Sequence, residues 1–272
     1  GGRLSPSELP WKELGVDIVL ESTGIYHKRL EKINNKIYSD GYDGHLLAGA
    51  KRVVLTSSPI DEVDCKLVVG VNDEDLKPTS KIIYNPSSAI NCVAPILKIL
   101  NDNFGVLNGY ITSVQSVTMD QKTQDVFSKD LRLARSAPMN IIPTSLTDVS
   151  MLPNIVHGLR GKIDGHSIRV PTCDGALVLL AINISKKTDK YQLNNILNKA
   201  CESSALKGIM KFIIKDPIVS SDVIDDPYSS IIDGFTTMVL NNSQGCFVNI
   251  LSWYDNEWMY SCRCADIFCS LS

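Results

Sequence analysis

From Val16 to Tyr84 the chain repeats one pattern: a short β-branched run, a turn, a charged stretch, then another β-branched run. VDIVLESTG (16–24) ends on Ser-Thr-Gly, as a buried parallel strand does where it meets a turn. Lys28 to Tyr38 reads as a charged, helix-like stretch. YSDGYDG (38–44) reads as a loop broken by two glycines, and AGAKRVVLTSSP (48–59) as a helix end followed by a strand. KLVVGVN (66–72) and KIIYN (81–85) add two more strands. Strands separated by helical stretches pair in parallel through right-handed crossovers. Residues 1–83 are therefore expected to form a partial parallel α/β domain.

Beyond Ile83 the texture changes. CVAPILKILNDNFG (92–105) places Val93, Ile96, Leu97 and Leu100 on one helical face. GYITSVQSVTMD, SIRVPTCDGALVLLAINIS, DGFTTMVLNN and CFVNILSWYD are long β-rich segments with turns between them, and YQLNNILNKACESSALKG reads as an amphipathic helix. Residues 84–272 are expected to form an α+β domain: an antiparallel or mixed sheet with helices on one face, and a last helix (262–272) returning to the first domain.

Several classes are excluded. The 272 residues are 44% hydrophobic and 21% charged, a globular balance, with a formal net charge of −3 that gives no global attraction to nucleic acid or membrane. No apolar run is long enough to span a bilayer, and GGRLSPSELPW has no apolar signal core. The eight cysteines are scattered, mostly within apolar runs, and read as reduced thiols. CRCADIFC lacks a second ligand cluster, so no metal site is expected. The expected setting is a reducing compartment, the cytoplasm or an organellar matrix, without secretion.

Six stretches carry a resemblance: ELPWKELGVDIVLESTG, AGAKRVVLTSSP, NPSSAINCVAPILKILNDNFG, KDLRLARSAPMNIIPTS, GKIDGHSIRVPT and SWYDNEWMYS. In this order, from about Leu9 to Asp266, they resemble the glyceraldehyde-3-phosphate dehydrogenase family, including its erythrose-4-phosphate dehydrogenase branch. The resemblance implies a truncated Rossmann-like NAD-binding domain followed by that family's catalytic-domain fold. In the family, a cysteine thiolate at a helix N-terminus attacks the aldehyde, a histidine activates it, hydride passes to NAD and phosphate cleaves the thioester.

Aligned on those motifs, Ser88 occupies the nucleophile position and Gln115 the base position. Cys92 matches a second, non-nucleophilic cysteine. An amide takes no proton at neutral pH, and a serine without a base is a poor nucleophile. Thr118 and Arg169 match residues that hold substrate phosphate, and Arg169 also fits a strand network. Arg132 and Arg135 fall in the loop lining the cofactor pocket. Leu146-Thr147 replaces a Thr-Gly pair and is expected to fill space meant for oxyanions. Asn256 matches the residue that orients the nicotinamide amide, and Met259 is expected to crowd that ring. No Gly-x-Gly-x-x-Gly turn occurs in the sequence.

Two functions of different kinds follow. The first is a catalytically inactive homologue serving as a scaffold or structural subunit of a larger protein assembly, with no cofactor. The alternative is an NAD-dependent phosphorylating dehydrogenase acting on glyceraldehyde 3-phosphate or erythrose 4-phosphate. The resemblance also implies a homo-oligomeric ancestor. IYHKRLEKINNKIYSDGYDGHLL exceeds the family's usual connection by about a dozen residues on this alignment. It mixes Tyr26, Tyr38 and Tyr42 with Lys28, Arg29, Lys32 and Lys36, a composition suited to a partner surface. Any RNA contact is confined to Lys28–Lys36. Deleting Asn34 to Gly44 is expected to release a partner while leaving thermal stability nearly unchanged.

Overall fold

The computed structural model describes residues 4–34, 36–118 and 121–271. It divides into two compact units, residues 1–87 with 264–272, and residues 88–263. The divide after Ser87 falls four residues beyond the boundary read from sequence texture.

The first unit is built on four parallel strands: β1 (Ile18–Glu21), β4 (Arg52–Leu55), β5 (Cys65–Lys66) and β6 (Ile82–Tyr84), in the order β1-β4-β6-β5. Val54, Cys65, Leu67 and Ile83 form a core with Ile267 and Leu271 from the end of helix α6 (Trp258–Leu271). KLVVGVN is not a full strand. Only Cys65–Lys66 pairs, because the Asn72 side chain takes over the backbone at both ends of the following turn, accepting from Val68 N at 2.9 Å and donating to Lys66 O at 2.9 Å. Such local side-chain bonding competes with a sheet ladder.

The Lys28–Tyr38 stretch is not helical. It folds as an antiparallel hairpin, β2 (Glu31–Ile33) and β3 (Lys36–Ser39), paired with no other described strand. Asn34, at φ 51°, takes the left-handed turn conformation that asparagine tolerates better than most residues. Every described hairpin residue is exposed, including Ile33, Ile37 and Tyr38.

The hairpin's base is structural, which corrects the expectation for deletion of Asn34–Gly44. Tyr42 is 0% exposed, the Asp43 carboxylate accepts from Leu30 N at 2.6 Å, and Asp40 accepts from Ser7 N and Oγ at 3.0 and 2.6 Å. A side chain at Gly41 would sit 2.3 Å from Lys28 O. Removing 34–44 therefore removes part of a core. Replacing only Lys32–Tyr38 with two glycines should leave the melting temperature within a few degrees, since exposed residues away from such contacts contribute little; a loss above roughly ten degrees would contradict this.

Tyr42 also carries a stability prediction. Burial pushes its phenol up to about 12, against the nearby Arg29 guanidinium, and its hydroxyl has no hydrogen-bond partner among the described residues. An unsatisfied buried hydroxyl costs about 1–3 kcal/mol. Tyr42→Phe should hold or raise the melting temperature, and a clear drop would show that the hydroxyl is satisfied.

The second unit is a mixed sheet, eight-stranded among the described residues. Its strands are β7 (Val106–Ser116), β8 (Ile142–Ser145), β9 (Ile163–Val170), β10 (Ala176–Ile184), β11 (Met210–Ile213), β12 (Ser230–Asp233), β13 (Met238–Asn242) and β14 (Gly245–Tyr254). The order is β11-β12-β14-β10-β7-β9-β8, with β13 also on β14. The pairs β7–β9 and β11–β12 are parallel; the other pairs are antiparallel. Burial alternates along β10: Ala176, Val178, Leu180, Ile182 and Ile184 are buried and their neighbours partly exposed. The two-residue period puts one face inward. Helix α3 (Ser88–Phe104) lies against β10, β14, β12 and β7, and α5 (Lys190–Cys201) packs against α3 and β11. Asp189 caps α5, accepting from Gln192 N at 2.8 Å.

Candidate active site

In the second unit the parallel register of β7 and β9 pairs Gln115 with Arg169 and Ser116 with Val170. The ends of these strands gather most of the predicted residues. Gln115 and Ser113 share a face of β7, two residues apart. Gln115 Nε2 donates to Ser113 Oγ at 2.8 Å, and Ser113 Oγ lies 3.2 Å from the Tyr254 hydroxyl. Gln115 is 8% exposed and Tyr254 0%. Burial drives the Tyr254 phenol far above its ordinary value; the Ser113 bond opposes this without cancelling it. Tyr254 therefore stays protonated, and the Gln115 amide is held by a neutral hydrogen-bonded chain.

A second chain runs beside it. Arg169 Nη1 donates to Ser116 O at 3.1 Å, and Ser116 Oγ donates to Asn256 Oδ1 at 3.0 Å. Arg169 is thereby tied into the β7–β9 pair, and Asn256 is oriented by the strand end. Thr118 is exposed, its N and Oγ1 both donating to Gln121 Oε1 at 2.8 and 3.1 Å. Arg135 makes an exposed pair with Asp125 at 3.6 Å, while Arg132 donates its backbone N to Asp130 Oδ1 at 2.8 Å. Met119, Asp120 and the Thr147 side chain lie outside the described residues.

Ser88 opens α3 and is half-buried, and its hydroxyl bonds to no other described residue. Gln115 bonds to Ser113 and not to Ser88. Cys92, one turn further along α3, is 0% exposed; burial pushes its thiol up to about 12 despite bonds to Ser252 and Ser230. It holds almost no thiolate at neutral pH and cannot stand in as a nucleophile. Among the described residues, therefore, neither Ser88 nor Cys92 is bonded to a base.

Two expectations are corrected. Met259 is 0% exposed, so its bulk is absorbed in packing and it borders no accessible surface. Leu146 is 6% exposed and lies against β9, where a Cβ built on Gly165 would come within 3.1 Å of its Cδ2. It fills core space rather than an open anion site.

In the first unit, His45 Nε2 lies 2.8 Å from Glu21 Oε2, and Trp11 Nε1 donates to His45 Nδ1 at 3.0 Å. The indole bond leaves the imidazole proton on Nε2, which donates to the carboxylate. Burial pushes the Glu21 carboxyl up, but bonds from His45 and Thr23 outweigh it and hold it below its ordinary value. His27 bridges the turns after β1 and β4, with Nε2 3.0 Å from Gly24 O and Nδ1 3.2 Å from Ser58 O. Sequence reasoning missed Ser113, Ser116, Tyr254 and His27; only the two-residue spacing of Ser113 and Gln115 hinted at any of them.

NAD fits these residues only in part. Asn256, the residue that the resemblance assigns to the nicotinamide amide, is held by Ser116, but a pyrophosphate needs a strand, a glycine turn and a helix N-terminus. Among the described residues of the first unit, the helices before α6 are four residues long, Trp11–Leu14 and Gly44–Leu47, and neither follows such a turn. Among the described residues, no helix is long and apolar enough to cross a membrane and no group of three or more His, Cys, Asp or Glu is placed to hold a metal.

A parallel-sheet unit, a mixed sheet and a long helix opening at Ser88 define an α/β fold of the dehydrogenase kind. Residues 87–256 match the family described as glyceraldehyde 3-phosphate dehydrogenase, C-terminal domain. The chain is 42% identical over 264 residues to the glyceraldehyde-3-phosphate dehydrogenase of Borreliella burgdorferi, covering 96% of this chain and 76% of the relative. It is 41% identical over 262 residues to the Mycolicibacterium smegmatis protein of that name, covering 96% of this chain and 72% of the relative, and 40% identical over 265 residues to that of Mycobacterium tuberculosis, covering 97% and 73%. The chain belongs to the glyceraldehyde-3-phosphate dehydrogenase family.

Proposed function

We propose that this member of the family does not oxidise aldehydes by the thiol route and serves as a structural subunit of a larger assembly. The observation that carries the first part is Gln115, at the position the resemblance gives to the base, donating to Ser113 while Ser88 stands unassisted at the nucleophile position. Loss of a general base alone costs about 10²–10⁴ in rate. The buried, protonated Cys92 offers no substitute. For the second part, the support is the projecting hairpin, which exposes Ile33, Ile37 and Tyr38 beside Lys32 and Lys36. The partner is a protein surface, with any RNA contact limited to Lys28–Lys36.

A second reading has its own support: the similar proteins are named glyceraldehyde-3-phosphate dehydrogenase, and Thr118, Arg169 and Asn256 stand at the positions that the resemblance assigns to phosphate and cofactor contacts. The comparisons favour this reading over the scaffold. Under it, the chain is an oxidoreductase using NAD on an aldehyde phosphate, with Thr118 and Arg169 holding the phosphate. A steady-state assay decides between the two. The purified chain, given NAD, glyceraldehyde 3-phosphate and phosphate, should form no NADH above the buffer rate. Turnover that scales with protein concentration would establish the second reading. The native mass of the chain from its own source tests the assembly: a large heteromeric particle supports it, and a free homo-oligomer refutes it.

A further inference from the structure

In the first unit, the amino ends of β1, β4 and β6 border a cleft of about 520 Å³. Dinucleotides in open α/β sheets sit at the opposite, carboxyl ends of the strands. The register explains what lines the cleft. Ile18 of β1 lies beside Arg52 of β4, and Val53 of β4 beside Ile82 of β6. Asp17, Lys51 and Lys81, the residues just before the three strands, therefore gather along one edge with Arg52 among them.

Arg52 fixes the walls. Its Nη1 donates to Leu271 O at the end of α6, and its Nη2 donates to Pro78 O at 3.3 Å. The guanidinium thus ties the helix end to a turn in which Ser80 N donates to Lys77 O at 2.9 Å and Lys77 N to Ser80 Oγ at 3.2 Å. Lys51 pairs with Asp17 at 2.8 Å, but the two side chains are 74% and 63% exposed. An exposed pair of this kind holds weakly, so the ammonium stays open to another anion. Lys81 is exposed and has no ion pair among the described residues. Three cations face one carboxylate here, on a chain whose net charge is −3. A concave surface with such an excess concentrates anions.

We infer that this cleft binds a small phosphate ester, with Lys51 and Lys81 meeting the phosphate oxygens, the fixed Arg52 adding to the field, and Ile18, Pro78 and Leu271 bordering the organic part. A phosphate dianion matches three cations less one carboxylate. Two ammonium groups and a guanidinium supply donors in several directions, which suits a tetrahedral oxyanion. The volume exceeds the need of inorganic phosphate and falls in the range of small-molecule sites. Nothing in this site depends on Ser88, Gln115, Thr118 or Arg169, so it is independent of either reading of the second unit.

The test uses the whole chain and three probes at constant ionic strength: phenyl phosphate, inorganic phosphate and benzyl alcohol. NMR titration follows the backbone amides of Lys51, Thr79 and Lys81, and separately that of Gln121, which bonds to Thr118. Phenyl phosphate should shift the first three amides saturably and bind roughly threefold more tightly than inorganic phosphate, for its partly covered ring. Lys81→Gln should weaken it roughly fivefold, the value of one unit charge at about 4 Å in water, and Lys81→Glu by about the square of that. Both variants should melt with the wild type, because the Lys81 side chain is exposed. Shifts confined to Gln121 would overturn the proposal, as would equal affinity for the two phosphates or unchanged affinity in Lys81→Glu. Benzyl alcohol binding as tightly as phenyl phosphate would do the same, because charge would then not be what the cleft recognises.

Discussion

Replacing Asp255 with alanine should lower the melting temperature by roughly 6–12 °C, from a loss of about 3 kcal/mol spread over a domain of this size. Asp255 is 1% exposed, and three backbone amides converge on it. Oδ1 accepts from Glu257 N at 2.7 Å and Trp258 N at 2.8 Å, which starts α6. Oδ2 accepts from Asp225 N at 2.7 Å, fixing a residue held at φ 63°. Alanine would orphan three donors and remove the helix cap together, and charge-assisted bonds of this kind are the stronger ones. Asp255→Asn keeps an acceptor and should recover about half of the loss. Calorimetry on the three proteins checks the ranking, and an alanine variant within two degrees of the wild type would show that the amides find other partners.

The second large effect concerns the nucleophile position. Ser88→Cys should give a thiol that behaves as an ordinary one, alkylated by iodoacetamide at a rate that rises only as pH approaches about 8.5. The N-terminus of α3 favours a thiolate by about 0.3–1 kcal/mol, less than one pKa step. The larger activation comes from a neighbouring cationic imidazole, and Gln115 cannot supply one. Adding Gln115→His should speed alkylation at neutral pH by roughly tenfold or more, while Gln115→His alone leaves labelling at background. Rapid neutral-pH labelling of the single Ser88→Cys variant would mean that the helix end activates this position unaided.

Much of the scaffold was legible because its signals are local. Val93, Ile96, Leu97 and Leu100 repeat at helical spacing within α3, and β10 alternates residue by residue. The hairpin misled because its charges suggested a solvated helix. The signal that decides it is Asn34 at the turn, with Ile33 before it and Ile37 after it on the strands, too short to show a period. At the site, the motifs located Ser88, Gln115, Arg169 and Asn256, but their bonding was not readable. Ser113 meets Tyr254 across 141 positions, and Ser116 meets Asn256 across 140. Those contacts arise from the order β14-β10-β7, which no local pattern encodes. Met259 and Leu146 were misplaced for the same reason: a residue type shows bulk, and only packing shows which way the bulk is turned.

A single-turnover experiment tests the central claim most directly. Excess purified chain is mixed with NAD and glyceraldehyde 3-phosphate without inorganic phosphate, so that an acyl-enzyme, once formed, would accumulate. Absorbance reports the first equivalent of NADH, and intact-mass and peptide analysis report any acyl group on the protein. The account predicts no NADH burst and an unmodified peptide containing Ser88. A burst stoichiometric with the chain, accompanied by an acyl adduct on Ser88 or any other residue of the site, would contradict it.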